Sequence, residues 1–204
     1  MKNFYDIIII GGGPAGASAS SSTAKLGFQS LLIEKEQIFS NDNENLGGRY
    51  KPCGGAMDCD LIDSTNFPPS KIDRIIQSLE LHHTDGNHYS KEGKGAVIWR
   101  SKFDKFLIDK AKKERATIHD GERLLSIQKL NGKFEVKTNV HSYQCNYLIA
   151  ADGVKSDTLR ILNWPKFKKE DLILTITKEM KSTKTHIENT LGKDKVHLFF
   201  GIDL

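Results

Sequence analysis

The chain begins with a strand, a glycine-rich turn and a helix in direct succession, and this order restricts the fold more than any other feature. The apolar run 6–10 is typical of a buried parallel strand, and residues 15–26 favour a helix. Between them lies the motif Gly11-x-Gly13-x-x-Gly16. We expect Gly11 to form the tight turn, Gly13 to let a pyrophosphate approach the backbone, and Gly16 to allow close helix–strand packing.

The start of this helix is predicted to bind an anion. Pro14 precedes the predicted helix and Ala15 begins it, and both are expected to contact the bound nucleotide. The first turn of the helix offers free N–H groups and a partial positive charge. A second apolar run ends in Glu34, 18 residues past Gly16, where a carboxylate can accept hydrogen bonds from ribose hydroxyls, and Lys35 follows it. The pattern therefore predicts a dinucleotide site. The alternative is a glycine-rich turn that holds no ligand.

Composition narrows the class of protein. The 204 residues suffice for one ordinary domain or slightly more, 27% are charged, and no apolar run approaches 18 residues, so we expect a soluble protein without a membrane span. The N-terminus lacks the charged-then-apolar pattern of a secretion signal, which predicts a cytoplasmic location. The three cysteines lack zinc-type spacing and the seven histidines form no HExxH-like set, so no metal site is predicted. We expect the pair His82-His83 to be solvated.

The charge of the chain gives no sign of nucleic-acid binding. Lysine and arginine number 30 against 26 acidic residues, a net charge of +4. Two local basic clusters are expected to be solvated, with weak attraction to an anionic membrane surface as the alternative. Their members are Lys110, Lys112, Lys113 and Arg115 in the first cluster, and Lys166, Lys168 and Lys169 in the second.

The middle of the chain is predicted to contain two helices. Ser70 is a good N-cap for a first helix, whose apolar residues keep i, i+3, i+4, i+7 spacing: Ile72, Ile75, Ile76 and Leu79. Residues 84–95 are polar and predicted to be a loop, and residues 98–100 to be a short strand. Ser101 with Asp104 resembles a capping box at the start of the second helix, with one apolar face formed by Phe103, Phe106, Leu107 and Ala111.

The following residues predict an antiparallel meander joined to the parallel nucleotide-binding core. Its strands are expected at 123–130, 133–138 and 142–150, and Asn131-Gly132 is a strong hairpin signal. Ser156 is positioned to cap a short helix that runs through Leu162. Beyond Pro165 we expect longer alternating strands at 172–180 and 196–202.

Several motifs together resemble the FAD-dependent hydroxylase-type flavoproteins. The resemblance rests on GGGPAGA at 11–17 with Glu34, on Arg100 followed by Phe103-Asp104 and Leu107, and on Ala151-Asp152-Gly153 with Ser156 and Arg160. Within that superfamily, KPCGG at 51–55 is similar to the geranylgeranyl reductases, which include archaeal enzymes that saturate the prenyl chains of membrane lipids. The ending Phe199-Phe200-Gly201-Ile202-Asp203 also resembles a strand of their substrate domain.

The resemblance implies a role for each matching residue. The glycine loop would hold the pyrophosphate of FAD and Glu34 the adenosine ribose. Arg100 would contact a phosphate or ribose, and Asp152 with Gly153 would approach the pyrophosphate region. A surface arginine that caps the sheet is the alternative for Arg100, and an ordinary Asp-Gly turn is the alternative for Asp152.

Cys53 is the candidate catalytic residue. The resemblance places it at the flavin ring, where Gly54 and Gly55 leave room for the backbone to pass close to a planar ligand. Reduction of a C=C bond needs a hydride on one carbon and a proton on the other, and a thiol beside the flavin is able to supply or relay that proton. A small buried side chain in a glycine turn is the equally weighted alternative.

The sequence thus predicts an α/β protein with a Rossmann-like FAD-binding parallel sheet, an antiparallel meander and the start of a β-rich substrate domain. We expect the FAD-binding domain at 1–66 and 95–165, and a partial, truncated substrate domain at 67–94 and 166–204. The expected function is FAD-dependent reduction of geranylgeranyl or related prenyl groups, with NAD(P)H or ferredoxin as electron donor and a prenylated lipid or other hydrophobic small molecule as substrate. Contact with a membrane surface is expected to be peripheral. The alternatives are an aromatic hydroxylase and, from another class, a truncated, non-catalytic nucleotide-binding module.

Overall fold

A computed structural model describes residues 3–38 and 52–201 of the chain. The chain folds into two compact units, the first formed by residues 1–51 and 101–174 and the second by residues 52–100 and 175–204. The predicted functional division into an FAD-binding and a substrate domain stays a prediction. The polar loop and the Gly47-Gly48 pair expected between 40 and 51 lie outside the described residues, as does Lys51 of the KPCGG motif.

The first unit is built on a mixed sheet. Its strands are β1 Phe4–Ile10, β2 Ser30–Glu34, β6 Thr117–Asp120, β7 Leu124–Leu130, β8 Lys133–Thr138 and β9 Ser142–Ala150, in the spatial order β6-β2-β1-β9-β8-β7. The first four in that order are mutually parallel, and β7 and β8 are antiparallel to their neighbours. The predicted fold class, a Rossmann-like parallel sheet joined to an antiparallel meander, is confirmed.

The helices of this unit are α1 Pro14–Lys25, α3 Arg100–Lys113, whose first residue belongs to the second unit, and α4 Asp157–Ile161. The predicted α1 and α4 are confirmed, and Ser156 caps α4 by accepting the N–H of Leu159. The helix predicted from Ser101 is also confirmed as α3, although Ser101 lies inside it, and its buried residues include Phe103, Leu107 and Ala111.

The parallel strands are apolar because both faces of the sheet are covered. Ile8, Leu31 and Val136 are fully buried in a core shared by the parallel strands and the meander. The hairpin between β7 and β8 turns at Asn131 and Gly132, whose φ angles of 50° and 78° match a type I′ turn. The sequence signal for this hairpin is confirmed.

The second unit contains a four-stranded sheet in the order β10-β4-β5-β3. Its strands are β3 Ala56–Asp58, β4 Arg74–His83, β5 His88–Val97 and β10 Lys195–Phe200, and its helices are α2 Cys59–Thr65 and α5 Lys184–Leu191. Short 3₁₀ turns lie at Pro69–Lys71 in this unit and at Lys169–Asp171 in the first.

Three sequence predictions in this region are wrong. The helix predicted after Ser70 is instead strand β4, because Ile75 and Ile76 are β-branched and the segment pairs on both edges, with β5 and β10. The loop predicted at 84–95 contains a turn and then β5, whose polar residues pair with β4 through their backbone. The strand predicted at 98–100 does not form, since β5 ends at Val97 and α3 begins at Arg100.

The two strands predicted beyond Pro165 have different outcomes. Residues 195–200 form β10, which pairs in parallel with β4, whereas Ile202 lies outside the described residues. Residues 172–180 have no regular structure, and Leu174 and Ile176 are about nine-tenths exposed at 93% and 90%. An alternating apolar pattern without a neighbouring strand to pair with does not form a strand.

Among the described residues, none of the helices is both long and apolar enough to cross a membrane.

Candidate functional site

The glycine loop connects β1 to α1 at the carboxyl ends of the parallel strands. The N–H of Gly11 donates to the carbonyl of Ile33 at 2.9 Å, and the N–H of Ala151 donates to the carbonyl of Ile10 at 2.8 Å. These bonds tie the loop to the strands on both sides of β1. The loop therefore lies at the strand ends where open α/β sheets bind their ligands.

Two of the motif glycines are required by the protein's own backbone. Gly11 has a φ of 107°, and a Cβ there would meet the carbonyl oxygen of Ala151 and lie 2.7 Å from the Cα of Asp152. A Cβ on Gly16 would collide with the carbonyl oxygen of Gly11. These close approaches agree with the predicted tight turn and close helix–strand packing.

Gly13 differs, because it has open space where a side chain would be. No heavy atom among the described residues lies within 4 Å of a Cβ built there. Gly13 is the N-cap of α1, which has no side-chain cap, and Pro14 begins the helix with Ala15 exposed beside it. The first turn of α1 therefore keeps N–H groups available to an anion, and the absence of a Cβ on Gly13 leaves it room to approach.

Glu34 ends β2 with its side chain buried at 5% exposure and directed at the glycine loop. One carboxylate oxygen accepts the N–H of Gly12 at 2.5 Å, and the other accepts the N–H of Glu36 at 2.9 Å. A carboxylate at the end of the second strand is the group that accepts ribose hydroxyls in dinucleotide sites, and a carboxylate oxygen accepts more than one hydrogen bond. Lys35, also predicted to bind the cofactor, is exposed.

Asp152 lies at the end of β9, where its backbone contacts Gly11. Its carboxylate accepts hydrogen bonds from the hydroxyl of Ser156 at 2.5 Å and from the N–H and hydroxyl of Thr158 at 2.9 and 3.0 Å. The side chain thus fixes the start of α4. Gly153 follows with a φ of 82°. Asp152 brings the β9–α4 turn to the glycine loop, and its contact with a pyrophosphate stays a prediction.

The remaining predicted site residues belong to the second unit. Gly55 has a φ of 70°, and a Cβ there would collide with the carbonyl oxygen of Ile98, so this glycine serves the backbone. Gly54 has no described heavy atom within 4 Å of a built Cβ. The close approach of a ligand at Gly54 stays a prediction.

Cys53 and Arg100 lie together. The Cys53 thiol is exposed, its Sγ is 3.9 Å from Nη1 of Arg100, and the N–H of Gly55 donates to it at 3.4 Å. The interpretation of Cys53 as a buried structural residue is therefore wrong for this structure. An exposed thiol with a guanidinium beside it is accessible to a ligand, and the guanidinium would stabilise negative charge left on the sulfur.

The first-unit residues fit the dinucleotide that they were predicted to hold. The motif offers an uncapped helix N-terminus, open space at Gly13 and a buried carboxylate at the next strand end, each of which suits one part of an ADP moiety. Sequence reasoning missed the hydrogen bond from Gly12 to Glu34, because it joins segments that are 22 residues apart.

One histidine of the pair that was predicted to be solvated, His83, is exposed, whereas His82 is half-buried. His82 stacks on His88, with ring centroids 4.7 Å apart, and on Phe199 at 4.5 Å, and its Nε2 lies 2.9 Å from Nδ1 of His197. Burial, then the nearby His88 and His197, lower the pKa of His82. In the part of the chain that the structure describes, no group of three or more metal-ligating side chains is placed to hold a metal ion.

Comparison with known proteins identifies a family and several relatives. The family model described as pyridine nucleotide-disulphide oxidoreductase matches residues 5–186. An uncharacterized protein of Methanosarcina barkeri is 35% identical over 78% of this chain and 40% of its own length. A digeranylgeranylglycerophospholipid reductase of Methanococcus vannielii is 30% identical over 76% of this chain and 40% of its own length. The chain thus spans about two-fifths of the length of these relatives.

Solved structures share the fold at low sequence identity. A geranylgeranyl bacteriochlorophyll reductase-like protein from Thermoplasma acidophilum has a TM-score of 0.69 and 23% identity, over 98% of this chain and 51% of its own. A halogenase, PltM, solved with phloroglucinol and FAD, has a TM-score of 0.63 and 21% identity, over 78% of this chain and 36% of its own. At these identities the likeness establishes the fold alone.

Proposed function

Because the chain belongs to the pyridine nucleotide-disulphide oxidoreductase family, we propose a specific reaction for it, the FAD-dependent reduction of isoprenoid C=C bonds in a prenylated lipid. The predicted cofactor, FAD, and the class of FAD-dependent oxidoreductase agree with the family. One observation carries the binding part of the proposal, namely the uncapped first turn of α1 next to the buried Glu34 carboxylate. Those two features suit a pyrophosphate and a ribose respectively.

The binding residues have separate tasks. The first turn of α1 and the loop at Gly13 hold the pyrophosphate, and Glu34 accepts the ribose hydroxyls while keeping the Gly12 N–H in place. Asp152 holds the β9–α4 turn against the loop through Ser156 and Thr158. Each task is one of position, because the hydride chemistry belongs to the cofactor.

The substrate is inferred from relatives and from the KPCGG motif. The reduced form of bound FAD would supply a hydride to one alkene carbon and be oxidised by that transfer, and the other carbon must receive a proton. Cys53 is our candidate for that proton donor, because its thiol is exposed and Arg100 lies 3.9 Å from its sulfur. Arg100 and the N–H of Gly55 would stabilise the thiolate that remains. The alkene thus gains one hydride and one proton, and its C=C bond becomes a single bond.

The proposed prenylated-lipid substrate also suggests where the protein would act in the cell. A prenylated lipid resides in or at a membrane, so peripheral contact with a membrane surface stays a prediction, and the basic clusters at 110–115 and 166–169 are its two candidate places. The electron donor stays open between NAD(P)H and ferredoxin.

Anaerobic reoxidation distinguishes this function from its rivals. Protein reconstituted with FAD and reduced with dithionite should regain flavin absorbance when a geranylgeranyl lipid is added without oxygen, with a saturated product by mass spectrometry. Reoxidation only by O₂, with a hydroxylated aromatic product, would make the chain a hydroxylase. Bound flavin that dithionite cannot reduce would favour a non-catalytic module.

A further inference from the structure

A buried carboxylate lies in the turn beside the strand that ends in Glu34. Glu122 follows β6, and its side chain, 4% exposed, accepts hydrogen bonds from three side chains. The Thr138 hydroxyl is 2.5 Å and the Tyr143 hydroxyl 2.9 Å from its Oε1, and Nδ1 of His119 is 3.0 Å from its Oε2. Nδ1 of His141 lies 3.8 Å away. A buried carboxylate with this set of donors is held in one orientation.

The side chains that donate to this carboxylate are held in place by further contacts. Burial and the neighbouring Glu122 raise the pKa of Tyr143 far above its usual value, so its hydroxyl keeps the proton that it donates. The Thr138 oxygen accepts the N–H groups of Val140 and His141 at 3.2 and 2.9 Å, and its hydroxyl lies within donating distance of Glu122 and of the carbonyl of His141, 2.9 Å away. The network therefore joins the ends of β6, β8 and β9 at one point.

The same turn holds the segment that presents Glu34. The N–H of Glu122 donates to the carbonyl of Glu34 at 2.9 Å, and the N–H of Gly121 donates to the carbonyl of Glu36 at 3.2 Å. The carboxylate of Asp120 accepts the N–H of Ile38 at 2.6 Å. Three consecutive residues of the turn thus fix three positions of the segment after β2.

A shift of this segment would reach the glycine loop. Cδ1 of Ile38 and Cβ of Glu34 each lie 3.0 Å from a Cβ built on Gly12, so both side chains rest against that glycine. The Gly12 N–H is in turn bonded to the Glu34 carboxylate. Small movements of the turn at 120–122 would therefore change both the ribose carboxylate and the pyrophosphate loop.

We propose that Glu122 is a positioning residue for dinucleotide binding, which holds the turn at 120–122 so that Glu34 and Gly12 keep the geometry that an ADP moiety needs. The inference rests on the proposed binding of a dinucleotide by the first unit. It assigns a functional task to a network that would otherwise serve only the stability of the meander. A purely structural role would lower the free energy of unfolding and leave the affinity of the folded protein unchanged.

The experiment compares four variants by the affinity for ADP, the thermal midpoint and the amide proton shift of Gly12. Glu122→Gln removes the charge, Thr138→Val removes one donor, and Thr138→Ser keeps that donor. Ile127→Ala is the matched control, because Ile127 is buried in the same core and its apolar side chain cannot hydrogen-bond to the network. ADP affinity is measured by calorimetry, and the Gly12 shift by NMR without ligand.

We expect ADP to bind about tenfold more weakly to Glu122→Gln and several-fold more weakly to Thr138→Val, with normal binding to Thr138→Ser. The Gly12 shift should move in the two weak binders. Ile127→Ala should lower the thermal midpoint without changing the affinity for ADP or the amide proton shift of Gly12.

Unchanged ADP affinity and an unchanged Gly12 shift in folded Glu122→Gln and Thr138→Val would overturn the proposal. If Glu122→Gln does not fold, the pair Thr138→Val and Thr138→Ser decides it. Failure of the wild-type protein to bind ADP would count against the proposed function, and the Gly12 shift would still decide whether Glu122 sets the geometry of the loop.

Discussion

The backbone N–H of Gly12 donates to the carboxylate of Glu34 at 2.5 Å, although 22 residues separate them in sequence. This bond joins the glycine loop after β1 to the acid at the end of β2, the two features from which the dinucleotide site was predicted. The motif is thus one connected structure. A change in the position of either residue is transmitted to the other through a single hydrogen bond.

Replacement of Glu34 by Gln is expected to weaken binding of FAD and ADP. The amide supplies an acceptor at one position only, so the variant loses a charge-assisted bond to Gly12 or to a ribose hydroxyl. The loss should be about 1–3 kcal/mol in the free energy of binding, measured by calorimetry. Glu36→Gln is the control, because the Glu36 side chain is exposed and should leave affinity unchanged. Equal affinity in Glu34→Gln and wild type would assign Glu34 to the fold alone.

Alanine at Gly13 should affect FAD binding, whereas alanine at Gly16 should affect the stability of the fold. A Cβ at Gly13 meets no described atom of the protein, so Gly13→Ala should keep the thermal midpoint and weaken FAD binding by blocking the approach of the pyrophosphate. A Cβ at Gly16 collides with the Gly11 carbonyl, so Gly16→Ala should lower the thermal midpoint by several degrees. Thermal melts and FAD titrations of both variants test this contrast. Normal FAD affinity in Gly13→Ala would contradict it.

The parts of the fold predicted correctly have local causes. Gly11, Gly13 and Gly16 each serve a turn, a helix start or a close contact within one βα unit, and Asn131-Gly132 specifies its hairpin through the positive φ angles of two adjacent residues. These conformational requirements depend on residues that are neighbours in the sequence. A sequence pattern therefore identifies them without knowledge of the partner strands.

The parts predicted wrongly depend on distant partners. The segment that forms β4 was predicted to be a helix from the spacing of Ile72, Ile75, Ile76 and Leu79, but Glu80 is buried in it and pairs with Lys195, 115 residues away, at 2.8 Å. The sequence alone does not show that Glu80 is buried in a strand, because the lysine that pairs with it lies in a distant segment. For the same reason the position of Glu122, bonded to Thr138 and Tyr143, could not be derived from the sequence.

Substitution of Asp152 should test whether its side chain serves more than the turn. Thr158→Val removes one hydroxyl bond to the carboxylate and should cost about 1 kcal/mol of unfolding free energy with FAD affinity unchanged. Asp152→Asn should lower the free energy of unfolding by a similar amount. If its carboxylate also faces the pyrophosphate region, the loss of charge should alter FAD affinity beyond that of Thr158→Val. Equal FAD affinity in the two variants would show that the Asp152 side chain serves only to hold the turn.

The sheet of the second unit should lose stability in acid. The hydrogen bond from Lys195, above all other causes, lowers the pKa of Glu80 from 4.5 to about 2. Because the pKa is lower in the folded state, this contribution is present above pH 4.5 and is lost as the pH falls from 4.5 towards 2. The protection factors of the β4 amides, which correct for the pH dependence of intrinsic exchange, should therefore fall over that range.

A variant of Lys195 identifies the source of this acid sensitivity. Lys195→Met removes the partner of Glu80. The protection factors of the β4 amides should then depend less on pH below 4.5, and they should already be lower than in the wild type at neutral pH. Lys91→Met is the control, since Lys91 is an exposed residue of the neighbouring strand β5. The same pH profile in Lys195→Met and wild type would show that other groups determine the acid response.

The last prediction concerns the proposed proton donor. Cys53→Ala removes the thiol, and Cys53→Ser keeps a hydroxyl in its place. If the thiol supplies or relays the proton, Cys53→Ala should slow reoxidation of the reduced protein by a prenyl lipid by about 10²-fold. Because Cys53 is exposed, the thermal midpoint and FAD affinity should be unchanged.

Thiol labelling provides a readout that does not depend on turnover. Burial raises the pKa of the Cys145 thiol to about 11, so that thiol should resist iodoacetamide while Cys53 reacts. Bound FAD should protect Cys53 if the flavin ring lies beside it. Labelling of Cys53 at equal rates with and without FAD, together with wild-type reoxidation in Cys53→Ala, would exclude the thiol as the donor. The proton would then have to come from water or from another side chain.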